Sequence, residues 1–238
     1  FNVNGIWGIL VGEVVLAYIC VWTGILFSYP YNFWLSCMVV FLFLVVTNKK
    51  NPFSLKKPNN SRGIIIAITV AVFLALPSPS DWDDLAYHSP AMLEIAKGKI
   101  KFPLLSDSPY LDFYRPFSIF YGNLPYLSES MAVFPYWLSR ATMISTAVNI
   151  INFILLITLL ATYTSINWLF MAAIVTAWSP ISKSIFTGNA DINVLVYQIT
   201  SLLLLINKTT KSDFRYRIVS LFLAGAAIGM KFTAIYFI

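Results

Sequence analysis

Long apolar runs separated by short polar stretches set the pattern of this chain. About seven of the runs read as membrane-spanning helices, at 5–27, 33–47, 63–77, 141–162, 166–182, 191–206 and 218–237. A helix needs roughly 20 apolar residues to cross a bilayer, so the runs at 33–47 and 63–77 are short and predict tilt or local thinning. Residues 78–140 break the pattern and are too long for a plain connector. Within them, Pro90 opens a stretch to Lys101 in which Met92, Leu93, Ile95 and Ala96 make an apolar face and Glu94, Lys97, Lys99 and Lys101 a polar one. That spacing predicts a short amphipathic helix lying along a membrane surface. A less regular aromatic stretch follows, Tyr110, Phe113, Tyr114, Phe117, Phe120, Tyr121 and Tyr126, whose rings suit the membrane interface.

Composition agrees with the pattern. Of 238 residues, 58% are hydrophobic, 16% aromatic and only 11% charged, against about a quarter charged in soluble domains. The expected fold is an all-α membrane protein, a polytopic transmembrane helical bundle with a long extracytoplasmic loop carrying interfacial helices. It divides into 1–62, a two-span hairpin with a basic cytoplasmic loop, and 63–238, a core holding the outer loop 78–140. Several spans follow the first, so the N-terminal run is not a cleaved signal peptide. The chain opens on Phe1 and stops at Ile238 inside an apolar run, so it reads as a fragment of a longer protein. Cys20 and Cys37 both lie in apolar runs and read as packing residues.

The net charge of +6 does not indicate nucleic acid. The loop at 48–62 holds Lys49, Lys50, Lys56, Lys57 and Arg62 with no acid, and 207–217 holds Lys208, Lys211, Arg215 and Arg217 against Asp213 alone. Positive loops stay cytoplasmic, and threading the spans puts both on one side. The N-terminus then starts in the cytoplasm, and 78–140 and the turn near 184–190 lie outside. That outer side gathers Asp81, Asp83, Asp84, Glu94, Asp107, Asp112, Glu129 and Asp191. The segment from Asp81 to His88 alone packs three carboxylates and the only histidine directly after a span. Charge at a membrane boundary is costly to place and points to chemistry where head groups meet water.

A series of motifs runs through this outer side. Trp82-Asp83-x-Leu85-x-Tyr87-His88-x-Pro90 comes first, then Lys97-Gly98-Lys99-Ile100, then Asn123-Leu124-Pro125-x-x-x-Glu129. Gly188-Asn189-Ala190-Asp191 and Gly225-Ala226-Ala227-Ile228-Gly229-Met230-Lys231 follow. In this order they resemble the polytopic GT-C glycosyltransferases, nearest the bacterial branch related to protein-mannosyltransferase and aminoarabinose-transferase-like enzymes. The resemblance runs from about Ile65 to the end, and the first two spans carry no signature. Asp84 stands where that family usually has a small or neutral polar residue, which leaves open which of Asp83 and Asp84 is the base.

The resemblance implies an inverting transfer of a hexosyl or pentosyl group from a polyprenyl-phosphate donor, outside the cytoplasmic membrane of a bacterium. The acceptor is a lipid, a glycan or a protein. An attacking hydroxyl must lose a proton, and a carboxylate can take it; Asp83 is the candidate base, or else the cap of a helix starting near Leu85. Asp81 and Asp84 bind sugar hydroxyls or are solvated loop charges, and Tyr87 belongs to the same substrate-binding set. Asp81, Asp83 and His88 could together hold a divalent cation; no other cofactor is implied. His88 otherwise binds phosphate, orients the base or bonds a backbone carbonyl. Asn123 and Glu129 fix a sugar, or Glu129 is a helix N-terminal charge. Asp191 is a site residue or a helix cap. Lys231, about 14 residues into the last span and roughly 20 Å from its cytoplasmic end, neutralises the leaving phosphate or snorkels to the outer head groups. Arg115 and Arg140 are further phosphate candidates. Glu13 is protonated or bonded across helices. A transporter or channel, with Glu13, Asp191 and Lys231 along its pathway, and a structural membrane subunit are the alternatives.

Overall fold

The computed structural model describes residues 3–48, 88–100, 126–141, 144–177, 185, 187, 190–206 and 214–231. Among these, the regular structure is eight helices: α1 (Val3–Leu26), α2 (Tyr31–Asn48), α3 (Ser89–Lys97), α4 (Leu127–Ser139), α5 (Ile144–Thr164), α6 (Trp168–Thr176), α7 (Asp191–Ile206) and α8 (Phe214–Met230). The fold is all-α over the described residues. Among the described residues, two helices are long and apolar enough to cross a membrane, Gly5–Leu26 and Thr146–Thr164. The expected span at 63–77 lies outside the described residues.

α1 shows why the apolar runs form helices that pack. Ile6, Leu10, Val14 and Ala17 recur at helical spacing and are fully buried, making one stripe. α1 packs on α2, α3, α4, α5 and α8. Tyr18, Trp22 and Leu26 on the other face stay exposed. Thr23 and Ser36 hydroxyls, 2.7 Å apart, join α1 to α2. Cys20 is buried and Cys37 half-buried, and both are free thiols.

Two expectations change in the middle of the chain. The surface helix expected over 90–101 is shorter, Ser89–Lys97, and it is packed into the bundle, with Pro90, Ala91, Met92, Ile95 and Ala96 buried. Gly98 (φ 75°) and Lys99 (φ 54°) take left-handed conformations that stop it. The backbone beyond is then bonded to the α1–α2 turn: Tyr29 N–H to Lys97 O at 2.7 Å, Lys99 N–H to Phe27 O at 3.3 Å and Ile100 N–H to Gly24 O at 3.2 Å. The apolar face that suggested a membrane surface instead meets α1 and α4.

The second is α4, which the sequence offered only through the alternative that Glu129 is a helix N-terminal charge; Glu129 does lie in its first turn. Pro135 sits inside it, which lowers its local helix signal. Tertiary contact supplies what propensity lacks, since α4 packs on α1, α3, α5 and α8. It ends at Arg140, whose left-handed cap (φ 59°) bonds its N–H to Tyr136 O at 2.7 Å.

The C-terminal part is a helical hairpin. α7 spans the expected range, but α8 begins at Phe214 rather than near 218, so Arg215 and Arg217 lie on the helix and not in the loop. Ser201 and Ser220 cross-bond side chain to backbone in both directions, each at 2.9 Å. Asp191 and Lys231 meet at the far end of the same pair, which fixes the antiparallel register. Gly229 faces α4 closely: a Cβ there would lie 3.3 Å from Leu127 Cδ2, whereas one at Gly225 would meet nothing within 4 Å.

Candidate functional site

α3 and α4 bring together a buried pair of ionisable side chains. His88 is the N-cap residue of α3, and Pro90 holds the first turn behind it. Glu129 lies in the first turn of α4. Their side chains are each 4% exposed, and His88 Nδ1 is hydrogen-bonded to Glu129 Oε1. Glu129 Oε2 is buried and bonds no other described residue. A buried carboxylate is costly unless a cation or donors face it, so His88 is the group that makes Glu129 tolerable here. Tyr126, just before α4, feels both effects: burial and then the Glu129 charge push its hydroxyl up.

Polar groups continue inward from this pair. Ser128, next to Glu129, accepts a bond from Asn193 Nδ2 at 2.8 Å. Asn193 Oδ1 in turn accepts from Asn152 Nδ2 at 2.8 Å. Nearby on α5, Asn149 Nδ2 donates to Thr187 O at 2.5 Å. Farther along, Tyr197 Oη donates to Glu13 Oε2 and lies within hydrogen-bond distance of Leu10 O, both at 2.9 Å. Three helices, α4, α5 and α7, are thus tied by amides and hydroxyls within the apolar core they share. Unpaired polar atoms in an apolar interior cost about 1–3 kcal/mol each, which makes these bonds directional constraints on the packing.

Asp191 and Lys231 form the second charged feature. Asp191 is the first residue of α7, and Lys231 directly follows α8. Lys231 Nζ lies 2.5 Å from Asp191 Oδ1, with side chains 40% and 47% exposed. The lysine expected inside the last span follows the described part of α8, its N–H still bonded to Ala227 O at 3.1 Å; residues 232–237 of that span lie outside the described residues. Its ammonium meets a carboxylate, an option the sequence reading did not weigh. The two charged pairs do not bond each other among the described residues; Asn193, two residues after Asp191, links α7 to Ser128.

Of the sequence candidates, His88, Glu129, Asp191 and Lys231 are brought to one end of the bundle. Arg140 lies at the other end of α4, its guanidinium 4.4 Å from the Tyr29 ring centre and hydrogen-bonded to the Tyr29 hydroxyl. Asp81, Asp83, Asp84, Tyr87, Arg115 and Asn123 lie outside the described residues. No group of three or more His, Cys, Asp or Glu able to hold a metal occurs among the described residues; His88 meets Glu129, while Asp81 and Asp83 fall outside them. Sequence reasoning missed the His88–Glu129 partnership and the Ser128–Asn193–Asn152 chain. Three amides in apolar helical runs were the available signal. No protein-family model matches the chain, and no curated protein or solved structure is significantly similar to it.

Proposed function

We propose that the chain is part of a polytopic membrane glycosyltransferase that moves a sugar from a polyprenyl-phosphate donor to an acceptor hydroxyl on the extracytoplasmic side. The observation that carries this reading is the gathering of His88, Glu129, Asp191 and Lys231 at one end of the bundle. Those four come from four separate motifs of the resemblance. Asp83, five residues before His88 in the chain, is the base that takes the acceptor proton. Glu129, held by His88, offers its second carboxylate oxygen to a sugar hydroxyl. Lys231, moved off Asp191 by an incoming phosphate, neutralises charge on the leaving group.

The membrane environment is supported by the bundle's exterior. Trp22, Trp34, Phe41, Leu169, Phe214 and Leu221 are all 62% exposed or more. Apolar faces that wide are unusual on a protein surrounded by water and ordinary in lipid. The cytoplasmic membrane of a bacterium and the outward orientation rest on the basic loops and on the resemblance.

Glu13 gives the transporter reading its one specific support, because it is a carboxylate inside an apolar helix bonded to Tyr197. A pathway would draw its charges together near the bilayer centre. Glu13 instead bonds Tyr197 while Asp191 bonds Lys231, so the three do not form one cluster among the described residues, which favours the enzyme. Mass spectrometry of surface glycolipids and glycans from cells with and without the full-length gene tests the proposal. One sugar modification should vanish with the gene and return with its re-expression; an unchanged glycan profile contradicts glycosyl transfer.

A further inference from the structure

A cavity of about 320 Å³ lies where the α1–α2 turn, α3 and the end of α4 meet, lined by Tyr29, Leu93, Glu94, Lys97, Tyr136 and Arg140 among others. It is separate from the His88–Glu129 pair, which lies at the opposite end of α4. Its walls are fixed from several directions. Ala96 O accepts from both Asn32 Nδ2, at 3.1 Å, and Trp137 Nε1, at 3.0 Å, which clamps α3 against α2 and α4. The bonds from residues 97–100 to the α1–α2 turn hold the rim. Arg140 is held at its base by the left-handed helix cap and at its tip by the Tyr29 ring and hydroxyl.

The charges in this cavity do not cancel. Lys97 Nζ lies 2.6 Å from Glu94 Oε1, so those two neutralise each other. Arg140 has no carboxylate partner among the described residues. A pre-positioned guanidinium offers a planar fork of donors that fits phosphate oxygens. Close in the chain to the lining residues Tyr29 and Arg140, the helices carry exposed apolar side chains: Tyr31, Trp34 and Leu138 are 68%, 65% and 66% exposed. Aromatic rings beside a cation are the arrangement of a membrane interface. A free anion would use the fork but leave those side chains uncovered, whereas a lipid covers both.

We infer that this cavity binds the phosphate of an anionic phospholipid, with Arg140 as its anion contact and the exposed α2 and α4 side chains along its acyl chains. The inference rests on the membrane reading and is independent of sugar transfer. Glu94 limits the site, because it occupies the Lys97 ammonium and repels an incoming anion.

Native mass spectrometry of the full-length protein in detergent, given equal phosphatidylglycerol and phosphatidylcholine, tests this. The wild type should retain phosphatidylglycerol in preference. Arg140→Ala should cut that preference roughly fivefold, the scale of one basic charge near an anionic surface. Glu94→Gln should raise it by a similar factor, a gain that misfolding does not produce. Excess inorganic phosphate should leave the bound lipid in place. Wild-type preference in both variants overturns the inference, and so does displacement of the lipid by inorganic phosphate, which would make the ligand a free anion. A protein that fractionates away from membranes before detergent is added overturns the membrane reading along with it. Lost Arg140 dependence in a membrane-resident protein overturns this inference alone.

Discussion

His88 and Glu129, 41 residues apart in the chain, meet as a buried pair between the start of α3 and the first turn of α4. Each partner removes the other's desolvation problem, so neither tolerates loss alone. His88→Ala or Glu129→Ala should destabilise the fold by about 3 kcal/mol. The double variant His88→Leu with Glu129→Leu should recover most of that loss, since no buried charge is left behind. Thermal unfolding in detergent reads the three variants. Additive losses in the double variant would mean the pair is not energetically coupled.

Gly98 and Gly225 should respond in opposite directions to the same substitution. At Gly98 the backbone has φ 75°, and a Cβ would lie 2.1 Å from Phe27 O. The obstacle is backbone, so it cannot step aside, and Gly98→Ala should cost at least about 2 kcal/mol. At Gly225, inside α8, a Cβ meets nothing within 4 Å, so Gly225→Ala should stabilise by about 0.5 kcal/mol. Equal unfolding temperatures for the two variants would contradict the tight α1–α2 turn.

The legible part of the fold was the part governed by hydropathy. The runs at 5–27, 33–47, 141–162 and 191–206 correspond to α1, α2, α5 and α7 because apolar length alone defines such helices. α4 was legible only in Glu129 as a helix N-terminal charge, because Pro135 and surrounding aromatics give no clean period and its helix depends on four neighbours. The end of α3 was misjudged because Lys99 and Lys101 continue the polar face past Gly98, whose left-handed backbone ends the helix. At the site, His88, Glu129, Asp191 and Lys231 stood out as rare charges in an apolar chain. Which of them pair is a tertiary fact that no local pattern encodes.

Tyr126 should set an alkaline limit to stability. Burial and the Glu129 charge raise its hydroxyl above the ordinary value of 10.0. An acid whose folded value is raised keeps its proton in the folded state when the unfolded chain has lost it. Stability is therefore full below pH 10 and falls as pH rises beyond. Tyr126→Phe should flatten that alkaline fall while leaving neutral-pH stability nearly unchanged. An identical alkaline limb in the variant would contradict the burial of this hydroxyl.

Lys231→Ala should separate stability from function. The Asp191–Lys231 pair is exposed, and such pairs contribute below about 1 kcal/mol, so the unfolding temperature should barely move. Use of the lipid-phosphate donor should fall more than use of the acceptor. Unchanged donor kinetics would assign Lys231 only its bond to Asp191.

Asp83→Asn in the full-length protein, reconstituted with a polyprenyl-phosphate sugar donor, is the most direct measurement of the central proposal. The variant should insert and fold as the wild type does and transfer sugar at least about a hundredfold more slowly, the scale of a lost general base. Transfer at the wild-type rate would contradict Asp83 as the base, and no transfer by the wild type from any such donor would contradict the enzyme itself.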